Sequence, residues 1–228
     1  NHFVPAFKIG SGDLNWLEII ENVSKLQKPI FLATGASELH EVQQAVSIIS
    51  RQNQDIILMQ CNTNYTGSDD NFKYINLRVL STYSKLFPGI VLGLSDHTSG
   101  HSTVLGAVAL GARVVEKHFT DSNDRSGPDH KFSMNPKSWS CMVRATRELE
   151  DAMGDGIKKV EFNEIESYVV QRRGIRAAAS IAKGQTIQRQ DISVLRPCPK
   201  EALSADQIKT VVGTIAIKDF KAGEIISI

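Results

Sequence analysis

Five times in the first two thirds of the chain, a short apolar run is followed by a stretch with helical periodicity. Runs that are apolar at nearly every position indicate strands buried on both faces, and such strands belong to parallel sheets covered by helices. The runs lie within residues 7–11, 29–35, 55–61, 90–94 and 113–115. This pattern predicts a parallel α/β fold and constrains the fold class more than any other feature.

Two architectures are compatible with five βα units. Five units are too few to close a TIM-type (β/α)8 barrel, and the sequence lacks an initiator methionine. We therefore expect the chain to begin inside a longer protein, in which three preceding βα units complete the barrel. An open, doubly wound sheet is the structural alternative.

Helix boundaries are predicted from capping residues and apolar periodicity. Asp13 is the expected N-cap of a helix over residues 14–26, and Ser37 is the expected N-cap of the helix that follows it. A longer helix is predicted from Pro136 to Met153.

The sequence changes character after Gly154. The residues that follow are charged and weakly periodic, which indicates a linker, and the remainder consists of short β segments with a helix at residues 204–212. Two similar segments, Ile181–Ile187 and Phe220–Ile226, each contain a glycine and are predicted to form hairpins. The predicted divisions are a barrel part at residues 1–154, a linker at 155–173 and a small β-rich domain at 174–228.

The bulk composition excludes several classes of protein. Lysine and arginine total 26 against 25 acidic residues, so the net charge of +1 provides no basic field for nucleic acid. No apolar run approaches the ~20 residues of a membrane span, and no secretory signal pattern is present. The three cysteines have unrelated spacings that match neither a zinc site nor a disulfide framework. We expect a protein of the reducing cytoplasm that binds neither nucleic acid nor membrane.

Histidines follow two consecutive predicted strands. His97 comes after the fourth apolar run and His118 after the fifth, so both lie at the carboxyl edge of the sheet, where the chemistry of α/β proteins is concentrated. Neighbouring strands are about 4.8 Å apart, so the two imidazoles can reach one point. Imidazole suits Mn, Fe, Co or Zn, and two ligands leave positions for substrate oxygens and water. Asp96 and Glu116 either orient the imidazoles or are ordinary charged residues at strand ends. The alternative for the two histidines themselves is a structural role without a metal.

Lys8 lies within an otherwise apolar strand, where an unpaired ammonium is costly to bury. A phosphate or carboxylate partner would remove that cost, with Ser11 as a further donor; alternatively the ammonium extends to the rim. Thr63, Asn64 and Tyr65 follow the third strand and suit either a polyol or carboxylate ligand or a simple turn.

Two more candidates lie later in the chain. Asp129 and His130 belong to a long polar loop that is either a sugar-binding loop near the metal or a solvated connection. Arg196 lies just past a predicted strand and is either a ligand-binding residue or an ordinary surface arginine.

Four motifs, in this order, resemble the signature motifs of the sialic acid synthase family, which includes N-acetylneuraminate, legionaminic acid and pseudaminic acid synthases. The motifs are KIGSGDL at Lys8–Leu14, LSDHT at Leu94–Thr98, EKHFT at Glu116–Thr120 and GPDH at Gly127–His130. The C-terminal part, including Arg196 and Pro197, resembles the antifreeze-like (SAF) domain of these enzymes. The resemblance covers nearly the whole chain and implies the last five βα units of a TIM-type barrel followed by a SAF domain.

The resemblance implies a metal-dependent transferase reaction of cell-surface sugar biosynthesis. Phosphoenolpyruvate (PEP) condenses with an open-chain N-acetylated hexose, which is N-acetylmannosamine or a 2,4-diacetamido hexose. Carbon 3 of PEP attacks the aldehyde, water adds at carbon 2, and phosphate leaves by C–O cleavage to give a nine-carbon 2-keto acid. His97 and His118 would bind Mn²⁺ or a similar divalent ion that polarises the aldehyde.

Further site residues are implied by the same resemblance. Those implied to bind PEP are Lys8, Ser11, Thr63, Tyr65 and Ser95. Asp129 would bind sugar hydroxyls, and Arg196 would reach into the barrel of a partner subunit in a domain-swapped homodimer.

The sequence departs from the family pattern in two respects. The family's catalytic glutamate and a second phosphate-binding lysine lie on the first two barrel strands, so no catalytic acid or base is identified in this chain. Thr63 stands where part of the family has an asparagine, and Asn62 or Asn64 could replace that asparagine.

A non-catalytic sugar-binding or assembly protein, built on a truncated barrel plus a SAF domain, is the alternative function. A protein that only binds sugars would not need the full set of candidate site residues, so their presence counts against this alternative. The set comprises Lys8, His97, His118, Asp129 and Arg196.

Overall fold

The computed structural model describes residues 4–228 and divides into two units. The first ends at Gly156 and the second extends from Ile157 to Ile228. Each unit has its own cluster of buried apolar side chains, so each is described separately.

A five-stranded parallel sheet forms the centre of the first unit. The strands are β1 (Phe7–Ile9), β2 (Ile30–Ala33), β3 (Ile56–Cys61), β4 (Val91–Asp96) and β5 (Val114–Lys117). They are hydrogen-bonded in chain order, β1-β2-β3-β4-β5. The predicted parallel α/β class is confirmed. The doubly wound alternative is wrong, because such a sheet reverses its strand order at a switch point and this sheet does not.

Helices alternate with the strands and cover the outside of the sheet. They are α1 (Leu17–Ser24), α2 (Leu39–Ser50), α3 (Val79–Leu86), α4 (Ser102–Ala109) and α5 (Pro136–Met153). Apolar residues of the strands and helices share one core, in which Ile30, Leu58 and Leu94 are fully buried. The apolar strands recognised in the sequence are therefore those that the helices cover.

The sheet curls into a half-barrel, as one ion pair demonstrates. Lys8 lies on β1 and Glu116 on β5, which are the two edge strands. In a flat sheet these strands would be separated by about 19 Å, four spacings of about 4.8 Å. The Lys8 Nζ atom nevertheless lies 3.0 Å from the Glu116 carboxylate, so the edges approach each other across the inner face.

Two predicted N-caps are wrong. Ser11–Asp13 form a 3-10 turn, the Asp13 carbonyl accepts from the Trp16 amide, and α1 begins only at Leu17. The N-cap of α2 is Glu38, one residue after the predicted one, and it forms a reciprocal capping box with Glu41.

The second unit is built on a small antiparallel sheet of β6 (Gly174–Ala177) and β7 (Ile192–Leu195). It also contains α6 (Ile165–Gln171), within the segment that we predicted as a linker, and the short helix α7 (Ile208–Val211). Its core includes Ile175, Ile187 and Phe220.

The two predicted hairpins of this unit do not form, because their strands pair with distant segments. Ile181 bridges to Phe220 and Thr186 bridges to Ile215. The turns themselves are present, since Gly184 and Gly223 adopt φ values of 85° and 82° that favour glycine. The sequence therefore predicted the two glycine turns correctly, but it did not predict which segments the flanking residues pair with.

A search of the described residues for membrane-crossing helices finds none with the required length and apolar character.

Candidate active site

The carboxyl ends of β3, β4 and β5 place polar side chains on the inner face of the half-barrel. In the register of these strands Cys61 is opposite Ser95, and Ser95 is opposite Glu116. Because side chains alternate along a strand, His97 and His118 continue on the face occupied by Ser95 and Glu116. The strand pairing therefore brings both histidines to one place.

The two imidazoles lie edge to face, with ring centroids 5.0 Å apart and an interplanar angle of 74°. The Nδ1 atom of His97 is 2.7 Å from the Asn62 carbonyl oxygen, so this nitrogen carries the proton and donates. The Nδ1 atom of His118 is 3.5 Å from a carboxylate oxygen of Asp129. Each Nδ1 thus faces an oxygen, which leaves the Nε2 atoms as the nitrogens able to bind a cation.

Such a partner on the second nitrogen is what metal-binding histidines usually have, because it fixes the tautomer and the ring orientation. A metal about 2.1 Å from a ring nitrogen lies about 3.2 Å from the ring centroid, so imidazoles on adjacent positions have centroids about 4.6–5.3 Å apart. The observed separation falls in this range. Among residues 4–228, no group of three or more His, Cys, Asp or Glu side chains is arranged to hold a metal ion. In its ring separation and in the partners of its Nδ1 atoms, the histidine pair has a geometry that fits two imidazoles on one divalent ion.

Two aromatic rings enclose the histidine pair. Tyr65 contacts His97 at a centroid distance of 4.2 Å and His118 at 5.8 Å. Phe132 lies 5.2 Å from His118 and is buried. The sequence analysis missed Phe132, since nothing in its local pattern distinguishes it from an ordinary core residue.

An anion-binding group of donors lies beside the histidines. Lys8 Nζ is 3.0 Å from both carboxylate oxygens of Glu116, and the Ser95 hydroxyl donates to the same carboxylate at 2.9 Å. The hydrogen-bond partners of Glu116 are therefore Lys8 and Ser95, and its negative charge also acts on the nearby His118. The carboxylate partner of Lys8 is thus supplied by the chain itself, and the lysine side chain is also 34% exposed.

A second group of residues lies around Gly35. The Ser11 hydroxyl accepts a hydrogen bond from the Gly35 amide at 2.9 Å. A Cβ atom on Gly35 would lie 2.7 Å from the Thr63 methyl carbon, 3.0 Å from Ser11 Oγ and 3.1 Å from Cys61 Sγ. Only glycine lets these three side chains converge.

Cys61 is a site residue that the sequence analysis treated only as an indicator of redox compartment. Burial raises the pKa of its thiol, but hydrogen bonds with His97 and Ser11 outweigh burial and place the pKa below its ordinary value. Burial lowers the pKa of His97, whereas Cys61 and the Asn62 carbonyl raise it, and the result lies above the ordinary value. Cys61 could have been predicted as a candidate from its position at the carboxyl end of an apolar strand.

The second histidine has the opposite tendency. Burial and the positive charge of the neighbouring His97 lower the pKa of His118. Of the two rings, His118 is therefore the less readily protonated.

The polar loop after β5 places Asp129 beside His118, with the carboxylate 44% exposed. His130, the other candidate on this loop, has its Nδ1 atom 2.7 Å from the Thr120 hydroxyl. Asn123 donates to the carbonyls of His130 and Ser133 and so holds the loop closed.

Two other predicted residues lie elsewhere. Asp96, considered as a partner that orients His97, is buried and bonded to Lys117. Arg196 belongs to the second unit, where its Nε atom donates to the Gln171 carbonyl and a cis peptide bond joins it to Pro197. Its role in sugar binding stays a prediction.

The chain is similar in sequence to several sugar acid synthases. It is 35% identical over 226 residues to N,N'-diacetyllegionaminic acid synthase of Campylobacter jejuni subsp. jejuni, covering 98% of this chain and 66% of that protein. It is 31% identical over 210 residues to N-acetylneuraminate-9-phosphate synthase of Homo sapiens, covering 92% of this chain and 57% of that protein. The chain thus spans between about half and two thirds of the length of these relatives.

The chain is also similar to a solved structure of a sugar acid synthase. The N-acetylneuraminic acid (sialic acid) synthetase from Leptospira borgpetersenii, crystallised with citrate, matches with a TM-score of 0.66 and 28% identity. The match covers 72% of this chain and 56% of that chain. A SAF domain model matches residues 172–228. Since the family model matches residues 1–158, well over half of the sequence, the chain belongs to the NeuB family.

Proposed function

We propose that this chain supplies five βα units and the SAF domain of a sialic-acid-type synthase. The enzyme condenses PEP with an N-acetylated hexose to a nine-carbon 2-keto sugar acid and releases phosphate. The observation that supports this most directly is the convergence of an anion-binding group with two imidazoles on one face of the sheet. That group is the cation Lys8 and the hydroxyl of Ser95.

Lys8 and Ser95 are the proposed binding groups for the phosphate or carboxylate of PEP. Their present partner, Glu116, is 47% exposed and Lys8 is 34% exposed, and an ion pair of this kind contributes only about 0–1 kcal/mol. A phosphate carries more charge and offers more acceptor oxygens, so its charge-assisted hydrogen bonds can replace the Glu116 contact. Ser11, just after β1, and Thr63, just after β3, both adjoin Gly35 and are the proposed further donors.

His97 and His118 are the proposed ligands of Mn²⁺ or a similar divalent ion. Such an ion, when bound, withdraws electrons from the aldehyde oxygen and makes the aldehyde carbon electrophilic. The chain itself orients the rings: Asn62 fixes the tautomer of His97, Tyr65 packs against His97, and Phe132 packs against His118.

Asp129 is the proposed acceptor for sugar hydroxyls, because its half-exposed carboxylate lies next to His118 and open to a ligand. Arg196 is proposed to complete the sugar site of a partner subunit in a domain-swapped homodimer of the cytoplasm. The relatives named above act in legionaminic acid and N-acetylneuraminate 9-phosphate synthesis, so 2-acetamido and 2,4-diacetamido hexoses are both proposed as substrate candidates.

The test uses the full-length gene product with PEP, Mn²⁺ and a panel of 2-acetamido and 2,4-diacetamido hexoses. Phosphate release is measured with and without a chelator. Chelator-sensitive release with one sugar supports the proposal and identifies the substrate. A folded protein that binds Mn²⁺ and PEP but releases no phosphate with any sugar contradicts it and favours the non-catalytic alternative.

A further inference from the structure

A buried ion pair lies directly behind the histidine pair. Lys117 Nζ is 2.7 Å from Asp96 Oδ2, and the two side chains are only 1% and 0% exposed. Asp96 and Lys117 are opposite each other at the last paired positions of β4 and β5. Each of them immediately precedes one of the two site histidines in the sequence.

Further hydrogen bonds connect this ion pair to two other parts of the fold. Asp96 Oδ2 accepts from the Thr103 hydroxyl at 2.7 Å, and Asp96 Oδ1 accepts from the Thr98 amide at 3.2 Å. Lys117 Nζ also donates to the Thr98 carbonyl at 2.7 Å. One network therefore joins the ends of β4 and β5, the loop that carries His97, and the first turn of α4.

Stability alone does not account for such a pair. The cost of removing two charges from water is large, and well-packed apolar residues of similar volume are often at least as stabilising. A buried ionic network does, however, define one geometry, because its donors and acceptors are satisfied in only one arrangement. The side chains alternate along each strand, so whatever fixes Asp96 and Lys117 on the helix-covered face fixes the following histidines on the inner face.

We propose that the Asp96–Lys117 pair is the positioning element of the histidine pair. It holds the ends of β4 and β5 in the register that sets the separation of the His97 and His118 rings, and thereby the affinity of the site for a divalent cation. The cation part of this inference rests on the proposed function; the positioning of the rings does not.

The first variant is the double substitution Asp96→Asn and Lys117→Met in the full-length protein. It removes both charges together, so no unpaired charge is left in the interior, and Asn retains an acceptor for the Thr98 amide. The control is Tyr83→Phe, which removes a buried hydrogen bond to Thr34 in the same unit without touching the histidine strands. Thermal unfolding of all variants shows how much each substitution weakens the fold.

Two readouts follow the histidines. Mn²⁺ affinity is measured by electron paramagnetic resonance of the free ion. Nuclear Overhauser contacts between the His97 and His118 rings are measured without metal on protein with ¹³Cε1-labelled histidine, which is tractable because the chain has six histidines. We expect the double variant to bind Mn²⁺ at least about tenfold more weakly, as is usual when the support of a ligand is lost. We also expect it to lose the ring-to-ring contact, while Tyr83→Phe retains both properties.

A double variant that melts cooperatively, with wild-type Mn²⁺ affinity and an unchanged ring-to-ring contact, overturns the positioning role. If the double variant does not fold, Thr103→Val replaces it, since this isosteric change leaves the ion pair in place and removes only the Thr103 hydroxyl, with its bonds of 2.7 Å to Asp96 and 3.2 Å to Thr98. A folded Thr103→Val protein is then expected to bind Mn²⁺ several-fold more weakly, and unchanged affinity overturns the inference. If even the wild-type protein binds no Mn²⁺, the proposed metal site fails, and the ring-to-ring contact alone decides the positioning role.

Discussion

Lys8 and Glu116 form an ion pair of 3.0 Å although they belong to the two edge strands of a five-stranded sheet. The pair connects the two edges of the half-barrel. Its Glu116 carboxylate occupies the position beside Lys8 in which the proposed function places an anionic group of PEP. Its partly exposed position makes it weak enough to exchange for a ligand. The Lys8–Glu116 contact thus shows that the sheet is curled, and it marks where an anionic ligand could bind on the inner face.

Exchange of this carboxylate for a ligand can be tested with Glu116→Gln. Removal of the negative charge leaves Lys8 without a competing anion, so we expect the metal-free protein to bind inorganic phosphate roughly threefold to tenfold more tightly. The free energy of unfolding should change by less than about 1 kcal/mol, because the pair is exposed. Isothermal titration calorimetry measures the affinity, and Lys8→Met is the matched control that should abolish binding. Weaker phosphate binding by Glu116→Gln would show that Glu116 orients Lys8 and does not compete with the ligand.

The metal assignment predicts that His118→Ala abolishes Mn²⁺-dependent turnover. Its side chain is 29% exposed, so we expect the free energy of unfolding to fall by no more than about 1 kcal/mol. Turnover and Mn²⁺ affinity are compared with those of His40→Ala, in which an exposed histidine of α2 is removed. Wild-type turnover in the His118→Ala enzyme is incompatible with a ligand role for this residue.

Gly35→Ala should damage the site through crowding. The added methyl would lie 2.7 Å from the Thr63 methyl carbon and 3.0 Å from Ser11 Oγ. Overpacking of this kind costs typically 1–3 kcal/mol, and displacement of Ser11 and Thr63 should also raise the KM for PEP.

Gly12→Ala provides the matched control for Gly35→Ala. It lies one residue from Ser11, and a Cβ atom there would meet no other atom within 4 Å. We expect unfolding and KM close to wild type for this variant. Equal effects of the two substitutions on KM would refute the crowding argument.

The contact between Cys61 and His97 predicts a pH effect in the metal-free protein. Since the Cys61 contact raises the pKa of His97, Cys61→Ser should move that pKa downward, as measured by histidine NMR titration. A histidine with a raised pKa stabilises the fold at pH values below its unfolded-state pKa, and this stabilisation is lost as the pH rises through the folded-state pKa. The variant should therefore lose stability mainly on the acidic side of neutrality. An unchanged His97 titration would mean that the Asn62 carbonyl and the charge of Asp96 account for the raised pKa without Cys61.

From the sequence we could predict the order and type of the helices and strands in the first unit, and the strand-end positions of the two candidate histidines. Apolar runs and helical periodicity are local properties, and they predicted the helix Pro136–Met153 at the observed bounds. The strand-end positions of His97 and His118 were readable for the same reason, because the carboxyl ends of parallel strands share one edge.

Tertiary structure alone decided which groups face each other. The partner of Lys8, the approach of Cys61 to His97 and the contact of Phe132 with His118 all join residues that are distant in sequence. The pairing of Ile181 with Phe220 shows the same limit, since the local pattern predicted a hairpin that the fold does not form. Such contacts depend on sheet curvature and on the packing of whole elements, and neither leaves a periodic signal in the chain.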